Sequence, residues 1–505
     1  MRHLFQKSII SIILYGIILV SMMKFFDRER ELRALSRVWG STLDGKFNLV
    51  VISGRRGVGK TRLVLEFARR SDVPHIYVFV DKKGLDATLS KVNNMLRRIL
   101  GSGIPYARSI RDLLLILRGV SAKKPVMLIF DEFQNFSHFD SGIYAELQEV
   151  VDLLKFSEEP VRVVVVVIGS IVGMMRNIFE SREAPLYGRK TMEIFLRPFR
   201  FWMVRRMLRE LGSSDEEEVI ALYSILGGMP KYYDTLDRLG FRFRVEDVLD
   251  YMFAPEYAAW KAVRGELIEE FREAYPTYFL ILEAISRGMC TPEEISSYTG
   301  IKQNSLPKYL GELTNYFEIV VRRYPITEGP RSKRGRYFLF DPFYTFWFRY
   351  VHPNIDFIEI GDTETLKRIV LDDINQHVSR VFEDIARDTL LAISGRFNKD
   401  YGLPLINRIG AWWDRRGNEI NIVGMYGEKV TLVGEIKYTS KPTTAREITR
   451  FLEKLHFIKA KNATRVYISK QGFTRGALEA MNEEGVIGLE LSDLIDMWER
   501  LPQLQ

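Results

Sequence analysis

The sequence has little cysteine, and it has no tandem repeat or low-complexity tract. Its one cysteine, Cys290, can form neither an intramolecular disulfide nor a multi-thiolate zinc site, so a reducing compartment, the cytoplasm, is expected. Hydrophobic residues make up 46% and charged residues 27%, which excludes a disordered chain, a collagen-like repeat and a polytopic membrane protein. The 505 residues therefore fold around buried cores, and at ~150 residues per domain they predict about three domains.

Long uncharged segments are also scarce, and the one that stands out runs from Ser8 to Met23. Its sixteen residues fall short of the ~20 that a bilayer-spanning helix needs. No small-residue cleavage site of a signal peptide follows it. Two interpretations stay open for residues 1–23. They form a membrane anchor on a chain that faces the cytosol, or translation begins at Met22 or Met23 and the residues upstream of that start are not part of the protein.

Acidic residues are in the minority, with 65 against 73 lysines and arginines, a net charge of +8 and a pI near 9.2. Residues 301–350 contain nine basic and four acidic residues, a net charge of +5, so more than half of the excess lies in one window. Positive charge concentrated in this way favours an anionic partner.

Short β-branched segments alternate with helical ones between Phe47 and Phe199, which is typical of βαβ units and a parallel sheet. Helical periodicity then continues to about Tyr275. Five segments are apolar enough to form strands buried on both faces: FNLVVIS from Phe47, HIYVFV from His75, PVMLIF from Pro125, RVVVVVIG from Arg162 and MEIFLRPF from Met192. Near the C-terminus, further strands are predicted around Gly410, Ile420, Val430 and Val466.

A phosphate-binding loop follows the first predicted strand directly and precedes a helical segment. The motif GxxxxGK[ST] is matched in full by Gly54, Arg55, Arg56, Gly57, Val58, Gly59, Lys60 and Thr61. Glycines let the backbone wrap closely around a phosphate, and the helix N-terminus offers free N–H groups. Lys60 is expected to neutralise the outer phosphates of ATP, and the Thr61 hydroxyl to reach Mg²⁺.

Two carboxylates end the third predicted strand. Asp131 is expected to hold the hydrated Mg²⁺, and Glu132 to orient and polarise the attacking water. The alternative is that both merely cap the next helix. Ser170, at the end of the fourth strand, is a candidate contact for the γ-phosphate or the water. Arg189 is a candidate arginine finger, supplied to the γ-phosphate by its own or a neighbouring subunit.

These motifs resemble the archaeal ATPase family, in the STAND-like branch of P-loop ATPases. The resemblance rests on FFDRERELRAL from Phe25, GRRGVGKT from Gly54, LIFDEFQNF from Leu128, LYGRKTMEIFLRPF from Leu186 and GGMPKYY from Gly227. It implies an α/β P-loop NTPase of the ASCE type, with a parallel five-stranded sheet and a helical lid, followed by a winged helix and a restriction-endonuclease-like α/β domain. It also implies that Asp27, Arg28 and Glu29 lie near the nucleotide base, and that Pro230 closes the lid over it.

The basic window contains a helix-turn-helix pattern. A capping box from Thr291 to Glu294, a helix stop at Gly300 and a second helix from about Ser305 to Leu313 support this prediction. A wing follows. The residues expected to contact duplex DNA are Lys302, Gln303, Asn304 and Lys308 on the helical part and Arg331, Lys333, Arg334 and Arg336 on the wing. The alternative is a winged helix that packs as a regulatory lever and has a solvated basic tip.

The C-terminal region resembles the PD-(D/E)xK nuclease fold, of the DUF234 type. Glu383 lies in a helical segment, and Glu435 and Lys437 form an ExK pattern on a predicted strand. Such sites place carboxylates around a divalent metal and a lysine near the attacking water. This chain has Asn421 where the family's first strand supplies an aspartate, and an amide is a poorer ligand for Mg²⁺. Glu419 or Asp414 is a candidate to compensate.

The sequence thus predicts five regions: the extension at 1–23, an ATPase domain at 24–200, a helical lid at 201–275, a winged helix at 276–352 and a nuclease-like domain at 353–505. The function expected first is an ATP-binding and ATP-hydrolysing switch that couples nucleotide state to a DNA-contacting winged helix and to the nuclease-like domain. The alternatives are an ATP-regulated, metal-dependent DNA endonuclease and a scaffold that holds ATP without hydrolysing it. Self-association is also expected, and membrane contact only if residues 1–23 form an anchor.

Overall fold

The computed structural model describes residues 24–501 except 102, 140, 141, 258, 459 and 461. The predicted extension at 1–23 lies outside these residues. In the part of the chain that is described, no helix combines the length and apolar character that crossing a membrane requires. The chain forms two compact units. The first runs to Pro198 and includes Met229–Gly240 and Asn315–Phe317, and the second contains the remainder. The predicted domain boundaries are finer than this division and stay predictions.

The first unit is built on a parallel sheet in the order β2-β3-β4-β1-β5. β1, β3 and β4 are buried along their whole length, because their apolar side chains pack on both faces of the sheet. All five predicted strands are confirmed. Their bounds are Asn48–Ser53 (β1), His75–Phe79 (β2), Val126–Asp131 (β3), Val163–Gly169 (β4) and Met192–Phe195 (β5).

Helices cover this sheet and enclose a large apolar core that includes Phe130, Phe133 and Phe136. The Phe136 ring meets each of the other two edge to face, with centroids 5.5 Å apart. The helices are Glu29–Leu43, Lys60–Arg70, Leu85–Leu100, Ile110–Ser121, Gly142–Lys155, Val172–Phe179 and Pro230–Arg238, and a 3₁₀ turn spans Phe133–His138. Since the strands are parallel, the segments that follow β1, β3 and β4 meet at one edge of the sheet, where α/β proteins bind ligands.

The second unit begins with helices and a two-stranded antiparallel hairpin, β6 (Val320–Arg323) and β7 (Arg336–Leu339). The predicted capping box at Thr291 is present, with the Glu294 carboxylate and the Thr291 side chain each capping the other's backbone. The helices before the hairpin are Phe201–Glu210, Glu216–Leu226, Val245–Phe253, Ala259–Phe271, Tyr275–Ser286, Pro292–Thr299 and Leu306–Asn315.

The C-terminal part of this unit is a mixed sheet in the order β12-β11-β10-β9-β8. The four predicted strands are present as β8 (Arg408–Trp413), β9 (Glu419–Tyr426), β10 (Lys429–Lys437) and β11 (Thr464–Ser469), and the structure adds β12 (Val486–Glu490). The helices are Pro342–Phe346, Ile355–Glu359, Thr363–Ile393, Ala445–Lys454, Arg475–Glu484 and Leu491–Arg500, and a π-helical turn spans Trp347–Val351. The predicted fold class, a parallel five-stranded α/β domain with a mixed α/β domain at the C-terminal side, is confirmed.

Candidate functional site

The phosphate loop follows a path that requires glycine at two positions. Gly54 has φ +147°, and a Cβ atom there would lie 2.4 Å from the Leu196 carbonyl oxygen. Gly57 has φ +84°, and its Cβ would lie 2.9 Å from the Lys231 side chain. Both the left-handed backbone and the close neighbours exclude a larger residue. The loop therefore wraps tightly around the start of the helix Lys60–Arg70, as a phosphate cradle requires.

The Lys60 side chain is buried, and its ammonium group lies within this loop. Nζ donates hydrogen bonds to the carbonyls of Gly54 (2.7 Å) and Arg55 (2.9 Å). Burial lowers the pKa of Lys60 to about 8, although the charges of Glu132 and Asp131 oppose this shift. A poorly hydrated ammonium group with only neutral hydrogen-bond partners is well placed to compensate the charge of a phosphate.

Asp131, at the end of β3, has a carboxylate held by neutral donors. Its Oδ2 accepts from the Thr61 hydroxyl (2.6 Å) and the Tyr77 hydroxyl (2.8 Å). Its Oδ1 accepts from the backbone N–H of Glu132 (2.9 Å). The predicted Mg²⁺ residues, Thr61 and Asp131, are thus adjacent, and a hydroxyl beside a carboxylate is an oxygen donor set that fits Mg²⁺.

Tyr77 is a site residue that the sequence did not reveal. It lies on β2, which pairs with β3, and burial and the Asp131 carboxylate both raise the pKa of its hydroxyl. Tyr77 therefore stays protonated and donates to Asp131. Tyr77 could be identified only from its position on the strand next to β3. No local motif predicts that β2 and β3 are neighbours.

Glu132 is held in a small polar network at the same edge of the sheet. Its backbone is left-handed (φ +56°, ψ +42°), an uncommon conformation for a residue with a side chain. Its Oε2 accepts from the Ser170 hydroxyl (2.7 Å) and the Gln134 amide (2.5 Å). Ser170, predicted to contact phosphate or water, thus donates to Glu132. Gln134 was not predicted, although it lies only two residues beyond Glu132.

Arg189 lies where the strands of the sheet begin, and the phosphate loop lies where they end. Its guanidinium pairs with Asp152 (2.9 Å) and donates to the Tyr187 carbonyl (2.9 Å). Arg189 precedes β5, and nearby Thr191 donates its N–H to Leu49, at the start of β1. The phosphate loop follows the other end of β1. This geometry corrects the expectation that Arg189 reaches a γ-phosphate in its own chain, and only contact with a neighbouring subunit stays a prediction.

The structure brings two of the residues implied by the family resemblance to the edge of the sheet that carries the phosphate loop. Arg28 is buried and donates to the carbonyl of Arg197 (2.7 Å), just after β5. Pro230 starts a helix whose next residue, Lys231, packs its aliphatic stem against Gly57. Asp234 on that helix lies 3.8 Å from Arg62. Contact of Arg28 and Pro230 with a nucleotide base stays a prediction.

The basic residues of the second unit divide into exposed and engaged groups. Arg334 Nη1 donates to the Trp413 carbonyl (2.7 Å), and Trp413 Nε1 donates back to the Arg334 carbonyl (2.9 Å). Arg336 pairs with Glu419 (3.1 Å) and lies over the Trp413 ring, 4.7 Å from its centroid. These contacts argue against the expected DNA contacts of Arg334 and Arg336. The predicted contact residues that are exposed are Lys302, Gln303, Asn304, Lys308, Arg331 and Lys333.

The nuclease-like residues also come together, on the long helix Thr363–Ile393 and on β9 and β10. Glu435 is buried, and its Oε1 accepts from Lys454 (2.8 Å). Arg387 lies 3.4 Å from the Glu383 carboxylate and donates to the backbone carbonyl of Asn421 (2.8 Å). Burial raises the pKa of Glu383 and Glu435, and the Glu419 carboxylate raises both further. Within the described ranges, no group of three or more Asp, Glu, His or Cys is placed to hold a metal ion.

The two remaining residues of this constellation do not complete a metal site. Asp414 accepts from the backbone N–H groups of Arg416 (2.8 Å) and Asn418 (3.0 Å), so it closes the β8–β9 turn. Lys437 lies two residues after Glu435 on β10 and therefore on the same face of the sheet. We expected Asp414 or Glu419 to take the role of the missing aspartate. The structure does not support this, because Asp414 is engaged in the turn and Glu419 pairs with Arg336. The residues present do not fit a divalent metal.

Comparisons with known proteins match two family models to this chain. Residues 25–236 match the model of an ATPase domain predominantly from Archaea, and residues 347–449 match the DUF234 model of archaeal and bacterial proteins of unknown function. The chain is 31% identical over 449 residues to the uncharacterized protein MJECL04 of Methanocaldococcus jannaschii, covering 86% of this chain and 91% of that protein. It is 35% identical over 66 residues to the uncharacterized ATP-binding protein MJ0423 of the same organism, covering 13% and 98%.

Among solved structures, the chain is similar to the Walker-type ATPase PABY2304 of Pyrococcus abyssi, with 22% identity, a TM-score of 0.49, and coverage of 65% of this chain and 98% of that one. The phosphate loop on a parallel five-stranded sheet defines a P-loop NTPase. The chain belongs to the archaeal ATPase family and carries a DUF234 domain on its C-terminal side. The family resemblance inferred from the sequence motifs is confirmed.

Proposed function

We propose that this protein binds ATP with Mg²⁺ and hydrolyses it at the phosphate loop. The observation that carries the proposal is the hydrogen bond between Thr61 and Asp131 (2.6 Å), beside the buried ammonium group of Lys60. It joins the two side chains that would hold Mg²⁺, at the edge where the backbone N–H groups of the loop would bind phosphates. Mg²⁺, when bound, supplies charge that offsets the phosphates.

The chain's own residues have distinct roles in this reaction. Lys60 balances negative charge on the transferred phosphoryl group. Glu132, whose Oε2 accepts hydrogen bonds from Ser170 and Gln134, takes a proton from the attacking water. Gln134 and Ser170 orient that carboxylate. Oriented groups of this kind are what phosphoryl transfer needs most, because the transition state depends on positioning and charge balance.

Variants at the phosphate loop and at Glu132 test the proposal. Fluorescent-nucleotide binding and phosphate release are compared in wild type, Lys60→Ala and Glu132→Gln. Lys60→Ala should lose nucleotide binding. Glu132→Gln should bind ATP normally and turn it over about 100-fold more slowly, the lower end of a general base's contribution. Glu149→Gln, on a largely exposed carboxylate, is the matched control.

Each alternative predicts a different result. Unchanged turnover in Glu132→Gln would contradict the hydrolytic role of this residue and favour the non-hydrolysing scaffold. No ATP binding by the wild type would refute both readings.

We further propose that the exposed basic residues before and within the hairpin contact duplex DNA in a manner that depends on the bound nucleotide. Three helices followed by an antiparallel hairpin are the order of elements expected of a winged helix. Lys302, Lys308, Arg331 and Lys333 make no ion pair among the described residues, so their charge is available to phosphates.

DNA affinity measured against salt concentration tests this second part. Lys302→Ala with Lys308→Ala should weaken binding and lower the slope of log affinity against log salt by about one unit per lost phosphate contact. Arg475→Ala, on an arginine that is 94% exposed, is the control. The switch role predicts different affinities with ATP and ADP. Equal affinities would contradict the coupling, and unaltered binding in the double variant would contradict the contact surface.

A further inference from the structure

Each carboxylate of the nuclease-like constellation has a cationic partner, and the three partners lie on three different structural elements. Lys454, at the end of the helix Ala445–Lys454, donates to Glu435 (2.8 Å). Arg387, one turn after Glu383 on the same long helix, lies 3.4 Å from it and also pairs with Asp384 (2.7 Å). Arg336, on β7, lies 3.1 Å from Glu419. Negative charge that a metal ion would otherwise balance is therefore balanced by three side chains of the protein.

Glu435 is buried, and one of its two carboxylate oxygens meets a cation of the protein. Glu435 is 5% exposed, and the oxygen that does not contact Lys454, Oε2, has no hydrogen-bond partner in the described part of the chain. Lys454 is the cation that meets it directly. On the neighbouring strand, Asn421 offers an amide, and its backbone carbonyl is already bonded to Arg387 (2.8 Å). A second cation beside these groups would face the charges of both Lys454 and Arg387.

We propose that the ammonium group of Lys454 takes the place of a divalent cation at Glu435, so that the DUF234 region carries a metal-free, internally neutralised polar pocket and does not cut DNA. The pocket instead has a structural role, which is to hold the β6–β7 hairpin in place. Through Glu419, Arg336 and Trp413 it fastens the β6–β7 hairpin to the C-terminal sheet.

The contacts around the hairpin support this task independently of the pocket. Ile326, in the hairpin loop, donates its N–H to the Ala411 carbonyl of the edge strand β8 (3.0 Å). Arg323 on β6 forms two hydrogen bonds with Asp384 on the long helix (2.7 and 2.8 Å). The hairpin thus pairs with one backbone group on the open edge of β8 and is joined to the long helix through Arg323.

Calorimetric titration of nucleotide-free protein with Mn²⁺ tests the proposal. Wild type and Glu435→Gln should bind the same number of ions, because any binding at Thr61 and Asp131 is common to both. Wild type should also leave supercoiled plasmid intact in Mg²⁺ or Mn²⁺. One ion fewer in Glu435→Gln, or plasmid nicking that this variant loses, would overturn the proposal.

A gain-of-site variant tests the same idea in the other direction. Asn421→Asp with Lys454→Met restores a carboxylate and removes the internal cation. This double variant should bind one Mn²⁺ ion more than wild type, and a further Glu435→Gln change should abolish the gain. Retained ATP turnover and circular dichroism confirm that the variant is folded. A folded double variant that binds no extra ion would show that Lys454 does not hold a cation position.

Discussion

The phosphate-loop edge and the C-terminal pocket combine the same kinds of side chain, carboxylates and a lysine, with opposite results. At the phosphate loop, Lys60 donates to two backbone carbonyls and Asp131 accepts from two hydroxyls. In the pocket, Glu435 is paired directly with Lys454. Charges held by neutral partners remain available to a ligand, whereas charges paired with each other do not. Pairing, more than residue type, distinguishes the two regions.

The largest expected difference between them is in nucleotide affinity. Lys60→Met should weaken ATP binding by about 100-fold or more, since the loss of a desolvated charge pair with phosphate is worth ~3 kcal/mol. Lys454→Met should leave ATP affinity unchanged and should lower the free energy of unfolding by about 1–2 kcal/mol, because Lys454 is partly exposed and its charge is screened. Equilibrium ATP titration and urea unfolding measure the two effects. An equal loss of ATP affinity in both variants would break the comparison.

The next effect is the pH dependence of ATP binding. Lys60 has a pKa of about 8 in the folded protein, below its ordinary value of 10.5. As pH rises above about 8, the ammonium group loses its proton, and ATP affinity should fall by up to tenfold per pH unit. This slope should vanish in Lys60→Arg, because a guanidinium stays charged. A wild-type affinity that is flat between pH 7.5 and 9.5 would contradict the assignment of Lys60.

Folding stability should change with pH in the opposite sense. Above pH 8 the folded state has lost the Lys60 proton while the unfolded state keeps it up to about pH 10.5. The unfolded state then binds more protons, so Lys60 makes the nucleotide-free protein more stable as pH rises through this window. Urea unfolding of wild type and Lys60→Met, taken as a difference at each pH, isolates this contribution. The free energy of unfolding of wild type minus that of Lys60→Met should rise from pH 8 to 10. A value that falls or stays constant would contradict the buried, depressed pKa.

A smaller effect is expected from Gln134, which shares hydrogen bonds with Glu132 and Ser170. Gln134→Ala should lower kcat about tenfold with little change in KM, because Gln134 orients the carboxylate and does not bind the nucleotide. Ser137→Ala, on a nearby hydroxyl that donates to the Gln134 backbone carbonyl (2.7 Å), serves as the control. A change confined to KM would assign Gln134 to nucleotide binding instead.

Much of the nucleotide site was predictable from sequence because its motifs are local. The residues from Gly54 to Thr61 form one continuous motif, and Asp131 directly follows an apolar segment that predicts a buried strand. Tyr77 and the Asp152 partner of Arg189 depend on strand order and on which end of a strand faces the loop. Such relations arise between distant segments, so spacing along the chain does not reveal them.

The same limit explains the C-terminal pocket. Glu383, Asn421, Glu435 and Lys437 were recognised from pattern, and the substitution at Asn421 already cast doubt on a metal. Two of the partners that decide the matter, Arg336 and Lys454, come from a hairpin and from another helix. The third, Arg387, lies one helical turn after Glu383. No motif links a lysine at the end of one helix to a glutamate nineteen residues earlier on a strand. Pairing between distant segments is a tertiary property, and residue composition alone does not predict it.

The smallest expected effect concerns the contact between the hairpin and the C-terminal sheet. Arg336→Ala removes both the ion pair with Glu419 and the stacking on Trp413, interactions worth about 1 kcal/mol together at such partly exposed sites. Backbone amides of β6 and β7 should therefore exchange with deuterium faster, while those of β1 and β3 keep their wild-type rates. Arg336→Lys should restore part of the protection, since lysine keeps the charge but stacks less well on the indole ring. If exchange in the hairpin is unchanged in Arg336→Ala, the fastening depends on Ile326 and Arg323 instead, and the carboxylates of the pocket would have no part in it.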